Sequence, residues 1–245
     1  IASGTIRMKP QIERITQNGV KFVDGTEAQA DTIIVATGYT IEFPLIEGGK
    51  LIKSEENEVN CFEFMFPMEL DKTTLGIVGM IQPYGSIMPI AELQARVILD
   101  VLSGRSRLPN KEERAKLVVA KREEMASRYA ASRRHTIQVD YIAYMDDLAK
   151  LIGCEAPKWF EHLPHDPKMA FATAFTPFAS YFYRLRGPHP WSGARDACLT
   201  IEDRIVQATD AKGKGSPFNA LKSGALHELI TFIVFAILLI AALIH

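Results

Sequence analysis

Residues 73–104 read TTLGIVGMIQPYGSIMPIAELQARVILDVLSG: a short apolar run, a loop with two glycines, then apolar residues at helical spacing. That order leaves few architectures open, because an apolar strand that hands directly to a helix is the repeating unit of α/β folds. The pattern predicts a buried strand at 74–78 and a helix from Ile87, its apolar face carried by Ile87, Ile90, Ala91, Val97, Ile98 and Val101 and its end set by Gly104. Ser86 stands where it can cap that helix, and Pro89 falls in the first turn, where a missing N–H removes no intrahelical bond. A second run, inside DTIIVATGY at 31–39, reads over 33–36 as another strand covered on both faces.

The flanking segments fill in the plan. Residues 5–8, 11–16 and 20–23 have strand composition, with Asn18-Gly19 and Asp24-Gly25 as turns, so a small antiparallel meander is expected at the start. Beyond Gly104 the chain reads as mainly helical. Asn110 and Glu113 have capping-box spacing before a charged helix expected to run to about Arg134. Residues 140–152 form a second helix stopped by Gly153, Asp166-Pro167 opens a third that ends near Thr176-Pro177, and 194–206 suits a fourth. A Gly/Ser-containing linker spans 211–225. From Leu226 the chain is almost wholly apolar to Ile244, about 28 Å of helix at 1.5 Å per residue, enough for a hydrocarbon core. Lys212, Lys214 and Lys222 precede this segment, which predicts a terminal transmembrane anchor with the body on the cytoplasmic side.

Composition removes several function classes. The net charge of −1 gives no footprint for a nucleic-acid backbone. Cys61, Cys154 and Cys198 are widely spaced and odd in number, so neither a disulfide framework nor a metal site is expected. Leu163-Pro164 separates His162 from His165 and breaks the geometry a helical metal pair would need. Arg128, Arg133, Arg134 and His135 read as a solvated basic helix end. The aromatic run from Phe171 to Tyr183 suits a core and a bilayer interface alike, with the core preferred. No G-x-G-x-x-G occurs, so no phosphate-cradling glycine loop lies in the chain.

In open α/β sheets ligands settle beyond the carboxyl ends of strands. Two segments hold that position: Thr37-Gly38, and the loop from Gly79 to Ser86. By spacing alone each is equally well an ordinary tight turn at a strand end.

DTIIVATGY, GMIQPYGSIMPIAELQAR, SRRHTIQVDYI and GPHPWSGARDACLTIEDRI, in this order and followed by an apolar tail, resemble the C-terminal half of the animal flavin-containing monooxygenases, the N-oxide-forming dimethylaniline monooxygenase family. Val35 stands where that family usually has Phe in Phe-Ala-Thr-Gly-Tyr. The resemblance implies a partial FAD/NAD(P)-binding Rossmann-like α/β fold: a β-meander with buried strands, a mainly helical C-terminal part and a C-terminal transmembrane helix. It assigns 1–40 to the end of an NADPH-binding domain and its return strand, 41–210 to the C-terminal part of an FAD-binding domain with a helical extension, 211–225 to a linker and 226–245 to the anchor. The implied reaction uses FAD, NADPH and molecular oxygen to oxygenate amine or sulfide nucleophiles through a C4a-hydroperoxyflavin, at the endoplasmic reticulum membrane. Oxygenation of ketones or NADPH oxidation within the same family, and a non-catalytic membrane-tethered module, are the alternatives.

The residues expected to hold cofactor are Thr37, Gly38, Tyr39, Gln82, Tyr84, Gly85 and Ser86, with no catalytic side chain and no metal ligand. The family's matching Gln reaches toward the flavin and nicotinamide, which makes Gln82 the leading candidate. An amide both donates and accepts, which suits a ring edge whose donor pattern changes on reduction. Gln82 closing its own loop, Ser86 acting only as a cap and Tyr39 acting only as an anchor are the structural alternatives. The chain opens at Ile1 in mid-domain, so it is expected to be a piece of a longer protein and inactive by itself. Membrane lipid is the expected partner of the tail, nucleic acid is not expected, and a homo-oligomer is compatible with the sequence.

Overall fold

The computed structural model describes residues 1–129, 132, 133 and 135–209. They divide into two compact units, residues 1–40 and the residues from Ile41 on.

The first unit is an antiparallel meander, but its third strand follows the Asp24-Gly25 turn instead of lying at 5–8. Strands β1 (Ile12–Thr16), β2 (Gly19–Phe22) and β3 (Glu27–Gln29) pair antiparallel in chain order, with Thr16 opposite Gly19 and Val20 opposite Ala28. Asp24-Gly25 makes the second turn: Gly25 has φ +82°, and Asp24 accepts from the Thr26 amide at 2.9 Å. Gly19 serves a different purpose from the one its Asn-Gly pair suggests. A Cβ there would lie 2.0 Å from the Ala28 carbonyl oxygen, so the glycine lets β3 approach rather than supplying a positive φ.

Two strand expectations fail in this unit. Residues 5–8 form no strand. Neither do 33–36: every residue from Asp31 to Thr40 is exposed, with Ile34 at 86% and Val35 at 76%. A strand needs a neighbour to take its N–H and C=O groups, and no described residue pairs with this run.

The second unit holds the main core. Three two-stranded ribbons open or close it: β4 (Ser54–Glu55) with β5 (Glu58–Val59), β6 (Cys61–Phe62) with β7 (Phe66–Pro67), and β8 (Gln82–Tyr84) with β9 (Gln138–Asp140). The first two are antiparallel hairpins and the last is parallel. Helices α1 (Ile87–Leu102) and α2 (Lys111–Arg128) form the crossover between β8 and β9, and α3 (Tyr141–Ile152) follows β9 directly. Then come α4 (Trp159–His162), α5 (Pro167–Phe175), a 3₁₀ turn at Ser180–Arg184, α6 (Ala194–Leu199) and α7 (Ile201–Thr209).

The predicted strand at 74–78 is likewise absent, and those residues are irregular and half-buried to exposed. The strand lies eight residues later, at β8, inside the predicted loop. Partner supply decides between them: the Gln82 amide donates to the Ile137 carbonyl at 2.8 Å, whereas Ile77 finds only one bond, to Met65.

The helices follow their end signals. Asn110 accepts from the Glu113 amide at 2.9 Å and Glu113 accepts from the Asn110 amide at 3.2 Å, closing the capping box. Gly104 and Gly153 stop α1 and α3 with φ of +76° and +67°. Asp166 caps α5 through the Met169 amide. Helix α2 ends at Arg128 rather than near Arg134, and the predicted fourth helix is two, broken at Thr200. Ile90, Leu93, Val97, Tyr144, Met145, Leu148, Phe62, Met65 and Phe66 are buried together where α1 and α3 meet the β6–β7 hairpin. A smaller cluster gathers Met169, Phe182, Cys198 and Ile201. All three cysteines are free and buried, and burial pushes the Cys61 and Cys198 thiols up to about 12.

Among the described residues no helix is long and apolar enough to cross a membrane. The anchor expected at 226–245 and the linker at 211–225 lie outside the described residues.

Candidate functional site

The segment from Gly79 to Ser86 is held from below by a buried polar chain. Gly79 has φ +82° and donates its amide to Gln94 Oε1 at 2.8 Å. Gln94 Nε2 donates to the Tyr144 hydroxyl at 2.9 Å, and that hydroxyl donates to the Glu63 carbonyl. Gln94 and Tyr144 are 0% and 1% exposed, so water is no substitute partner for either. Burial, with the Glu63 charge beside it, pushes the Tyr144 hydroxyl well up, which keeps it a donor.

From this anchor the chain climbs into β8. Gln82 pairs with Gln138, Pro83 with Val139 and Tyr84 with Asp140. Strand periodicity turns Gln82 and Tyr84 outward together, both exposed, and leaves Pro83 between them half-buried. The Tyr84 ring lies 5.8 Å from that of Tyr129, whose hydroxyl donates to Asp140 Oδ1 at 3.1 Å. Arg128 closes on the other oxygen of Asp140 at 2.6 Å. Gly85 has φ +143°, a backbone reserved for glycine, and a Cβ there would press on the Tyr141 ring at 3.1 Å.

Ser86 occupies the N-cap of the 16-residue helix α1, but its side chain makes no capping bond. The cap reading of Ser86 is therefore corrected: the hydroxyl is exposed and uncommitted to the helix. The result is an exposed edge of amide, phenol and hydroxyl beside a helix N-terminus, flanked by the exposed Ile87 and Met88. Such an edge can both donate to and accept from a flat polar ring while the apolar neighbours cover its face.

The predicted site residues thus fall into two groups. Gln82, Tyr84, Gly85 and Ser86 form one edge in the second unit. Thr37, Gly38 and Tyr39 lie in the first unit on exposed, irregular backbone, with Tyr39 94% exposed and Gly38 at φ +83°. No described atom lies within 4 Å of a Cβ built on Gly38, so its left-handed backbone alone accounts for the glycine within this unit.

Sequence reasoning missed the supports. Gln94 breaks the apolar face of α1 between Leu93 and Val97, and a polar residue on a buried stripe was the available signal. Gln138 is 4% exposed, its Oε1 has no hydrogen-bond partner among the described residues, and it lies directly opposite Gln82. Tyr144 carried no local signal, since its role comes from partners 50 and 81 residues away.

Adjacent to this edge, and sharing Tyr129, a cavity of about 300 Å³ lies between α2 and residues 56–64. Its lining includes Phe62, Glu63, Lys121, Arg122 and His135. Burial pushes the Glu63 carboxyl up to about 7, with the nearby Lys121 opposing the shift. Two members of the basic cluster are paired, Arg128 with Asp140 and Arg133 with Glu56, both at 2.6 Å, and Arg134 lies outside the described residues.

Comparison with known proteins follows this geometry. Residues 1–244 match the family model described as FMO-like: Flavin-binding monooxygenase-like. The chain is 43% identical over 206 residues to flavin-containing monooxygenase 5 of Rattus norvegicus, covering 84% of this chain and 38% of that protein. Against flavin-containing monooxygenase 5 of Cavia porcellus the match is 37% over 243 residues, covering 98% of this chain and 45% of the relative. It is 42% identical over 205 residues to dimethylaniline monooxygenase [N-oxide-forming] 2 of Rattus norvegicus, covering 83% and 38%. Among solved structures, S-allyl-L-cysteine S-oxygenase from Allium sativum aligns with a TM-score of 0.50 and 25% identity, over 84% of this chain and 47% of that one.

The fold is that of a flavoprotein monooxygenase. The chain belongs to the flavin-binding monooxygenase-like family, and membership implies dependence on FAD and NADPH. It spans less than half the length of the curated relatives it matches.

Proposed function

We propose that this chain is the flavin-facing C-terminal portion of an FAD- and NADPH-dependent monooxygenase that oxygenates nitrogen or sulfur nucleophiles. The single observation that carries the reading is the exposed edge Gln82, Tyr84, Gly85 and Ser86, tied to the core by the Gly79–Gln94–Tyr144–Glu63 chain. Bound FAD supplies the oxygen activation, a chemistry no side chain possesses. The residues position and shield. The Gln82 amide offers a donor and an acceptor to a ring edge, Tyr84 and Met88 exclude water from its face, and the amides at the start of α1 favour negative charge nearby. None of these groups needs to exchange a proton.

The choice of nitrogen and sulfur rests on relatives whose names state N-oxide formation and S-oxygenation. In this reading Thr37, Gly38 and Tyr39 approach cofactor from the 1–40 unit, residues 226–245 anchor the protein in the endoplasmic reticulum membrane, and the body faces the cytoplasm.

The test is isotopic. The complete protein, loaded with FAD and given NADPH and ¹⁸O₂, is expected to convert dimethylaniline to its N-oxide and methyl phenyl sulfide to its sulfoxide, each with one ¹⁸O. Consumption of NADPH with hydrogen peroxide as sole product, or ester formation from a ketone with neither amine nor sulfide oxidised, contradicts the reading.

A further inference from the structure

A second cavity, of about 240 Å³, lies where α1 and α3 meet the 180–191 segment. Its walls include Leu93, Met145, Ser180, Tyr181 and Trp191, with two arginines, Arg96 and the Glu92-paired Arg184. Glu92 and Trp191, both exposed, also line it, so it communicates with solvent.

Arg96 is 6% exposed, and among the described residues no carboxylate pairs with its charge. One guanidinium nitrogen donates to the Tyr183 carbonyl at 3.0 Å and the other to the Pro188 carbonyl at 2.7 Å, the Cys154 thiol lies beside the group, and Nε is buried with no acceptor among the described residues. The carboxylates one turn away on either side of α1 are both committed elsewhere. Glu92 pairs with Arg184 at 2.6 Å, and Asp100 with Arg105 at 2.6 Å and the Ser106 hydroxyl at 2.7 Å. Arginine cannot shed its proton as a buried lysine or carboxyl sheds or gains one, so the charge stays. Buried ions without a partner are costly, and two carbonyl dipoles balance only part of a full charge.

We propose that this cavity is a binding site for a small organic monocarboxylate, with Arg96 as its charge partner and Leu93, Met145, Tyr181 and Trp191 around an apolar body. The stoichiometry of charge selects the ligand. One uncompensated positive charge matches one carboxylate, whereas a phosphate dianion would leave a buried excess of negative charge. Apolar walls favour an aryl or short alkyl body over a bare ion. The site is separate in residues from the Gln82 edge, and it stands whether or not that edge holds flavin.

The test is calorimetric titration of the complete protein with benzoate, its neutral isostere benzamide, and inorganic phosphate. Benzoate is expected to bind saturably, and benzamide at least about tenfold more weakly, because the charge-assisted bond is lost. Arg96→Gln is expected to weaken benzoate by about tenfold or more, and Ser180→Leu, which fills the cavity and leaves Arg96 intact, to abolish binding. Should Arg96→Gln fail to fold, the Ser180→Leu result and the benzoate–benzamide ratio decide. Absence of benzoate binding up to about 10 mM overturns the proposal. Binding equal for benzoate and benzamide, binding that survives Ser180→Leu, or phosphate binding tighter than benzoate does the same.

Discussion

The two segments that the sequence marks as ligand-facing, 31–39 and 79–86, share a grammar of apolar run, small residues and aromatic, yet they end in different structural states. The second is backed by a buried core, paired to β9 and tied through Gln94 to Tyr144. The first is exposed along its whole length and joins no described strand. Composition names a segment that can be a strand, and a partner with free N–H and C=O groups makes it one.

The sharpest break of this comparison is in stability. Phe66→Ala, at a side chain with 0% exposure in the β6–β7 hairpin, is expected to cost about 3–5 kcal/mol in denaturant unfolding of this chain. Val35→Ala, at 76% exposure, is expected to stay within about 0.5 kcal/mol. Equal losses would mean that the exposed run is part of the folded core.

Next in size is the support of the second segment. Gln94→Leu leaves the Gly79 amide without its acceptor and takes one donor from the Tyr144 hydroxyl, and is expected to cost about 1–3 kcal/mol. No loss would show that the polar chain does not hold the loop.

The same support predicts a pH effect. Because the folded state raises the Glu63 carboxyl from 4.5 to about 7, the native protein retains a proton that the unfolded chain has released across that window. Its contribution is fully present below about pH 4.5 and is lost as pH rises to about 7. Glu63→Gln, a permanent neutral mimic, should flatten this part of the stability profile and be the more stable form above pH 7. An unchanged profile in the variant would locate the titration elsewhere. The smallest expected loss in the second unit is from Asn110→Ala, about 0.5–2 kcal/mol, which breaks the capping box without touching the site.

These effects also mark what was legible in the sequence. Three helix ends were, because a cap acts within three or four residues: Asn110 with Glu113, Gly153 and Asp166 all sit where their local chemistry requires, whereas the end expected near Arg134 falls at Arg128. The β1–β2 hairpin was, since its turn is local too, whereas β3 was not expected and the strand expected at 5–8 does not form. The parallel strand was not, because β8 and β9 pair across 56 positions between Gln82 and Gln138, and no window along the chain contains both. Four of the site residues, Gln82, Tyr84, Gly85 and Ser86, were readable as a loop at a helix start. Their supports Gln94, Tyr144 and Gln138 act through contacts that only the fold creates.

The edge carrying Gln82 is proposed to face flavin. Amide hydrogen exchange on the complete protein, compared with and without FAD, tests it most directly. The prediction is slower exchange at Gln82 and at 84–88 on adding FAD, with Pro83 carrying no amide and the 111–128 helix unchanged. Protection confined to other regions, with 82–88 exchanging at the same rate in both states, would contradict it.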